Sequence, residues 1–262
     1  MSRALVLLHG VASNSTRWAE FRESTRLKDW EILAPDLRGN ASAAAPRTPL
    51  GMELWCADIA ALLDAHGAAR AVIVGHCLGA SIALQFAARY PARVAGLVLV
   101  EPMPPEALIG MMRTLARLKP LLYALYGAAR MANTIGIYRR RLETLDLREW
   151  DRGIRSGEVG LSAFASLAVD LRSTPLAAYT RMLAATVEPW PEVGKIAVPV
   201  LALLSTQSSF TDVALTRRAL AALLNCEVVE LNAVHWIPTE QPDAMRAAIE
   251  DWLARRAPGK AP

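Results

Sequence analysis

The sequence predicts an α/β fold: a mostly parallel central sheet with helices on both faces and one inserted helical segment. Three observations carry this prediction. Short apolar runs of strand length recur at Leu5-Val6-Leu7-Leu8, Glu31-Ile32-Leu33-Ala34, Val72-Ile73-Val74, Leu97-Val98-Leu99-Val100, Val200-Leu201-Ala202-Leu203-Leu204 and Glu227-Val228-Val229-Glu230-Leu231. Helical patterns separate the first four runs and the last pair, and strands apolar on both faces belong to a sheet covered on both sides. The interval 102–191 breaks this rhythm. It is rich in Leu, Ala, Met and Arg, and prolines bound it, with Pro102, Pro104 and Pro105 at its start and Pro189 and Pro191 at its end. Residues 1–101 and 192–262 are therefore read as the core, and 102–191 as a helical lid.

Each element has a local reason. The first run superficially suggests a secretory leader, but His9 and Gly10 interrupt it after five apolar residues, short of the ~7–15 that such a leader needs. A buried strand is expected instead. The second run leads into Pro35-Asp36-Leu37-Arg38-Gly39, where Asp36 is expected to organise a turn by accepting backbone amides. A helical pattern (Leu54, Ile59, Leu62, Leu63) carries Cys56 and ends at His66-Gly67, where His66 suits a helix C-terminus. The third run enters Gly75-His76-Cys77-Leu78-Gly79, followed by the helical stretch 80–88. This is a strand, a sharp turn and a helix with a thiol at the tip. The flanking glycines let strand and helix approach closely. The fourth run ends at Glu101. The fifth is followed by Ser205-Thr206-Gln207-Ser208-Ser209-Phe210-Thr211-Asp212, and the sixth by His235 and an amphipathic helix carrying Ala244, Ile249, Trp252 and Leu253. The tail 257–262 is expected to fray.

Composition narrows the function classes. The 262 residues fit one domain with an insertion. With 53% hydrophobic and 21% charged residues, the chain has a large core rather than disorder. No run approaches the ~18 apolar residues of a membrane span. Three cysteines, Cys56, Cys77 and Cys226, form no disulfide framework or metal-ligand spacing. The expectation is a reducing cytoplasm with neither metal nor cofactor. Cys56 and Cys226 are read as small core hydrophobes.

The net charge of +4 is unevenly spread: no acidic residue lies between Glu106 and Glu143, an interval holding Arg113, Arg117, Lys119, Arg130, Arg139, Arg140 and Arg141. The first reading is a solvated helical face. The alternative is a docking surface for an acidic acyl-carrier protein, a coenzyme A phosphate or a membrane surface. Nucleic acid is not expected, because the basic residues alternate with a helical apolar pattern and no nucleic-acid motif occurs.

Taken together, the strand ending at His9-Gly10 with Trp18 beyond it, Pro35-Asp36-Leu37-Arg38-Gly39, the elbow around Cys77, and His235 within Val234-His235-Trp236-Ile237-Pro238 resemble the α/β-hydrolase fold superfamily, over nearly the whole chain outside the lid. The elbow is similar to that family's G-x-S-x-G with sulfur in place of oxygen. The resemblance implies Cys77 as nucleophile and His235 as general base, with the backbone amides of Val11 and Leu78 as oxyanion hole. His9, His76 and Trp236 would flank the substrate, and Met103, Met111, Met112, Leu122, Tyr123 and Tyr126 could line an acyl pocket.

The acid departs from the commonest family pattern, whose position falls near Ser208. Two candidates remain: Glu101, at the end of its strand and placed as in thioesterase-like branches, and Asp212. Glu101 is preferred. The implied activity is a thioesterase or acyltransferase working through an S-acyl Cys77 on a small acyl substrate, carried by coenzyme A or an acyl-carrier protein. Alternatives are a carboxylesterase or lactone hydrolase, a lyase or cofactor-independent dioxygenase, and a ligand-sensing protein on the same scaffold.

Overall fold

The computed structural model describes residues 3–40, 43, 47–137, 142–161 and 166–256. Six strands, β1 (Arg3–Leu8), β2 (Trp30–Leu33), β3 (Ala71–His76), β4 (Val94–Val100), β5 (Val200–Ser205) and β6 (Cys226–Leu231), form one sheet in the order β2-β1-β3-β4-β5-β6. Every neighbouring pair is parallel. All six runs are strands, with shifted ends. The third continues past Val74 because Gly75 pairs with both Leu8 and Leu99, and His76 pairs with Val100.

Alternating side chains divide the core into two layers. Val6, Leu8, Ile73, Leu97, Leu99, Ala202 and Leu204 face one way, and Leu5, Leu7, Val72, Val74, Val98, Val100, Leu201 and Leu203 face the other. α1 (Ala19–Ser24) brings Phe21 to the second layer. α2 (Met52–Ala65) and α3 (Leu78–Arg89) cover the first layer with Trp55, Ile59, Ile82 and Phe86. Cys56 is fully buried there, whereas Cys226 is half-buried. His66 caps the end of α2 and its Nδ1 lies 2.6 Å from Glu31 Oε1.

Between β4 and β5 lie α4 (Gly110–Arg117), α5 (Lys119–Thr134), α6 (Leu147–Arg155), α7 (Leu167–Ser173) and α8 (Leu176–Thr186). α8 joins the first core layer through Ala178, Met182 and Ala185. α9 (Val213–Leu220), α10 (Ile237–Glu240) and α11 (Pro242–Ala254) complete the chain, with α11 packing Met245, Ile249 and Trp252 on the second layer. Arg139, Arg140, Arg141 and the tail 257–262 lie outside the described residues. Among the described residues, no helix is long and apolar enough to cross a membrane.

In a parallel sheet the carboxyl ends of the strands open on one edge, where ligands of such folds bind. Here that edge gathers the segments following β1, β3, β4, β5 and β6.

Candidate active site

Cys77 sits at the junction of β3 and α3 with φ 55° and ψ −112°. A non-glycine residue in this region carries a strain on the order of 1–3 kcal/mol and persists only where its surroundings enforce it. Its amide donates to the Val100 carbonyl at 3.0 Å. The elbow glycines are steric necessities: a Cβ at Gly75 would lie 2.1 Å from the Gly79 carbonyl oxygen, and one at Gly79 would lie 2.4 Å from the Leu8 carbonyl oxygen. Leu78 opens α3, so its amide precedes the first intrahelical bond. Gly10 comes so close that an added Cβ would lie 3.3 Å from the Cys77 Cβ. This places Val11, the next residue, on the cavity wall beside the thiol.

His235 follows β6 and is buried. Its Nδ1 lies 3.2 Å from Glu101 Oε2, and it shares the cavity wall with Cys77. Burial alone would lower its pKa. The neighbouring Cys77 and Glu101 side chains outweigh that effect and raise it to about 9. Phe210 packs edge-on against the imidazole, with ring centroids 4.5 Å apart.

Glu101 immediately follows β4 with φ 50°, its amide bonded to the Leu203 carbonyl at 2.9 Å. Its buried carboxylate accepts the Ser205 amide on Oε1 and the Ser208 hydroxyl on Oε2, the latter at 3.0 Å. The structure thus brings Cys77, His235 and Glu101 together. Asp212 it places elsewhere, as the N-cap of α9, where its carboxylate accepts the Leu215 amide at 2.9 Å.

His76 and Trp236 line the cavity beside Cys77; His9 does not. His9 is buried in the fold, its Nδ1 donating to the Gly10 carbonyl at 2.9 Å and its Nε2 accepting the Leu37 amide at 2.9 Å. It is a strut between two loops, and burial depresses its pKa to about 4. Asp36 works on the same loops, accepting the Ser15 amide at 2.8 Å. His76 donates from Nε2 to the His235 carbonyl at 3.2 Å, and burial, with His235 nearby, keeps its pKa well below the ordinary value.

The cavity measures about 120 Å³. From the inserted helices and the segment before them it receives Met103, Met111, Met112, Leu147, Trp150 and Leu183. Met103 Sδ lies 3.6 Å from Cys77 Sγ. Leu122, Tyr123 and Tyr126 do not reach it. The two tyrosine hydroxyls are bonded instead to Glu188 and to the Leu50 backbone.

Three further features complete the site. The Glu240 carboxylate accepts three consecutive amides, Val234 (2.9 Å), His235 (3.1 Å) and Trp236 (2.8 Å), and so holds the histidine loop. The spacing from His235 to Glu240 was the available signal. Arg17, on the cavity wall, bonds Asp151 of α6 and Thr239 of α10, tying the insertion to the core. Ser13 lines the cavity with a buried hydroxyl that meets no protein partner among the described residues. Also among these residues, no group of three His, Cys, Asp or Glu side chains is placed to hold a metal ion.

Comparison with known proteins fits this geometry. Among curated proteins, the chain is 37% identical over 101 residues to a 2-hydroxy-6-oxo-2,4-heptadienoate hydrolase of Pseudomonas putida, covering 37% of this chain and 36% of that one. It is 37% identical over 100 residues to the lipase LipV of Mycobacterium tuberculosis, with the same coverage. An uncharacterised M. tuberculosis protein is 34% identical over 97 residues, 37% of this chain and 28% of its own. The matches thus span roughly a third or less of these relatives' lengths.

Among solved structures, an esterase from Thermogutta terrifontis superposes with TM-score 0.69 at 20% identity, covering 97% of this chain and 90% of that one. An enol-lactonase from Burkholderia xenovorans LB400 gives 0.68 at 22%, covering 97% and 92%. The sequence profile of the alpha/beta hydrolase fold matches residues 3–242. The chain belongs to the alpha/beta-hydrolase fold family.

Proposed function

We propose that this chain is an acyl-transfer hydrolase that cleaves a thioester or ester of a short apolar acyl group through a covalent S-acyl intermediate on Cys77. The supporting observation is the placement of Cys77 and His235 on the wall of one apolar cavity, with Glu101 on the imidazole behind them. The Cys77 thiol passes its proton to His235, whose pKa is raised to about 9, as the sulfur attacks the acyl carbonyl carbon. The C–S bond forms, and the carbonyl oxygen becomes an oxyanion facing the Val11 and Leu78 amides. Collapse breaks the bond to the leaving group, which takes the proton from His235. Water then gives a proton to His235 and attacks the acyl-sulfur carbonyl, releasing the acid and restoring Cys77. An acceptor other than water would make the reaction a transfer.

The cavity limits the acyl group, since about 120 Å³ is of the order that holds a single benzene ring. Exchange of one thioester for another is nearly isoenergetic, which favours thioesters, including those of coenzyme A or an acyl-carrier protein. In this reading residues 102–191 act as the lid, because Met103, Met112 and Trp150 line the cavity that holds the thiol. Glu101 orients the imidazole, and His76 and Trp236 border the substrate. Similarity to a lipase and a heptadienoate hydrolase supports hydrolysis. Unpaired thiols suit a reducing, cytoplasmic compartment.

The test is steady-state turnover of a short acyl thioester beside the oxygen ester and lactone of the same acid. The expected result is free acid from all three, fastest from the thioester, and none above background with Cys77→Ala. Faster turnover of oxygen ester or lactone would move the assignment to that class. Hydrolysis that survives Cys77→Ala would end it.

A further inference from the structure

The charges on the wall of the catalytic cavity do not balance. Arg17, His235 and Asp170 all line it. Arg17 is bonded to Asp151 and Thr239, and the His235 imidazole lies 3.2 Å from the Glu101 carboxylate. Both cationic groups thus carry their own counterions. Asp170 has no ion-pair partner among the described residues. The cavity is left with one carboxylate in excess.

Asp170 belongs to the inward side of α7. Ser173, three residues on, and Thr174, just past the helix, are buried, whereas Arg172 is exposed and paired with Glu143 at 2.7 Å. Tyr179 of α8 stands beside Asp170 on the cavity wall, and burial together with the Asp170 carboxylate pushes its phenol up. A neutral phenol can support a carboxylate but cannot cancel its charge. Burial also pushes the Asp170 carboxyl up to about 6, which leaves it mostly ionised at pH 7.5. Much of the remaining wall is apolar, including Met103, Met112, Leu147, Leu183 and Phe210.

We propose that Asp170 is a specificity-determining residue that binds a primary ammonium, so that the preferred acyl group is a short apolar chain aminated at its far end. The acyl part of this proposal rests on the reaction assigned above. Charge complementarity selects the substituent. A wholly apolar chain would displace water from the Asp170 carboxylate and offer nothing in return, which is costly for a charged group. An ammonium restores the interaction through charge-assisted hydrogen bonds. The cavity measures about 120 Å³ and has both Cys77 and Asp170 on its wall, so one short chain can serve both. A site that leaves a polar group unpaired rejects the wrong substrate more strongly than a pocket that merely counts methylenes.

Two measurements on the full chain test it. The first needs no turnover: protection of Cys77 from iodoacetamide by butylammonium and by butan-1-ol at pH 7.5, read by mass spectrometry. Butylammonium is expected to protect at roughly tenfold or more lower concentration than butan-1-ol. Asp170→Asn should lose this advantage, and Asp170→Glu should keep part of it. The second is kcat/KM for the β-alanyl and butanoyl thioesters of N-acetylcysteamine, which differ by an ammonium against a methyl group. The β-alanyl to butanoyl ratio should fall about tenfold or more in Asp170→Asn, through the KM of the β-alanyl substrate, with Asp170→Glu in between. Comparing the ratio between wild type and variant cancels the intrinsic reactivity of the two thioesters. The proposal is overturned if butan-1-ol protects the wild type as well as butylammonium does, or if either ratio is unchanged in Asp170→Asn. If neither thioester is turned over, the acyl-transfer reading fails, and the protection measurement alone still decides the ammonium site.

Discussion

Ser208 donates its hydroxyl, at 3.0 Å, to the Oε2 of Glu101 that also faces His235 Nδ1 at 3.2 Å. Ser208, in the segment after β5 where the family resemblance would put the acid, thus supports an acid supplied just beyond β4. Two routes to one imidazole lie within hydrogen-bond reach of each other. Glu101→Gln is expected to lower kcat/KM by about 10²–10⁴, as expected when the group orienting a catalytic histidine loses its charge. Ser208→Asp added to that variant should recover part of the loss, since the new carboxylate starts beside the vacated position. Asp212→Asn should leave kcat/KM unchanged, because Asp212 caps α9. Kinetics of the three variants check this; a loss in Asp212→Asn as large as that in Glu101→Gln would reverse the assignment.

Glu240 should matter to activity without touching substrate. Removing its carboxylate leaves the Val234, His235 and Trp236 amides without their acceptor. Glu240→Ala is expected to cost about 1–3 kcal/mol of stability and to lower kcat more than it raises KM. Glu240→Gln, which keeps one carbonyl acceptor, should restore much of both. Thermal unfolding and steady-state kinetics measure these effects together, and wild-type values for Glu240→Ala would remove the residue from the positioning network.

The pH dependence has two separate origins. Activity needs the proton on His235, so kcat/KM should fall as pH rises through about 9. Glu101→Gln should move that alkaline limb to lower pH, because the Glu101 contact helps raise the His235 pKa. The same raised pKa stabilises the fold fully below about 6.5, a contribution that fades as pH climbs through 9. His9 acts with the opposite sign. Held neutral with a folded pKa of about 4, it contributes stability above 6.5 that is lost as pH falls through 4, on the order of 3 kcal/mol. Denaturant unfolding between pH 4 and 10 should show both slopes, and a flat acid side would contradict the neutral, doubly bonded His9.

How far the sequence reveals this molecule depends on the range of the forces involved. The four inner strands were legible because both their faces are buried and their apolar runs are local; the edge strands β2 and β6 are only half-buried but keep short apolar runs. The elbow was legible because Gly75 and Gly79 answer clashes within a few residues. Glu101 could be proposed from its place at a buried strand's end, but a neighbouring Asp could not be told from an N-cap until α9 was seen to start at Val213. His9 stands in the right motif but spends both ring nitrogens on backbone, a geometry no local pattern records. The Arg17–Asp151 pair joins residues 134 positions apart, and its partners are brought together only by the fold of the insertion over the sheet. Leu122, Tyr123 and Tyr126 show the same limit. Their apolar spacing predicts a helix, but the helix's rotation decides which face meets the cavity.

The central claim is tested most directly by intact-mass spectrometry of the chain quenched during turnover of a short acyl thioester. The account predicts a transient gain of one acyl group, mapped to Cys77, absent in Cys77→Ala and persisting longer in His235→Ala. Burial pushes the Cys56 and Cys226 thiols up to about 11, so neither should carry the label. Product formation without any adduct on Cys77, or an adduct spread over all three cysteines, would contradict it.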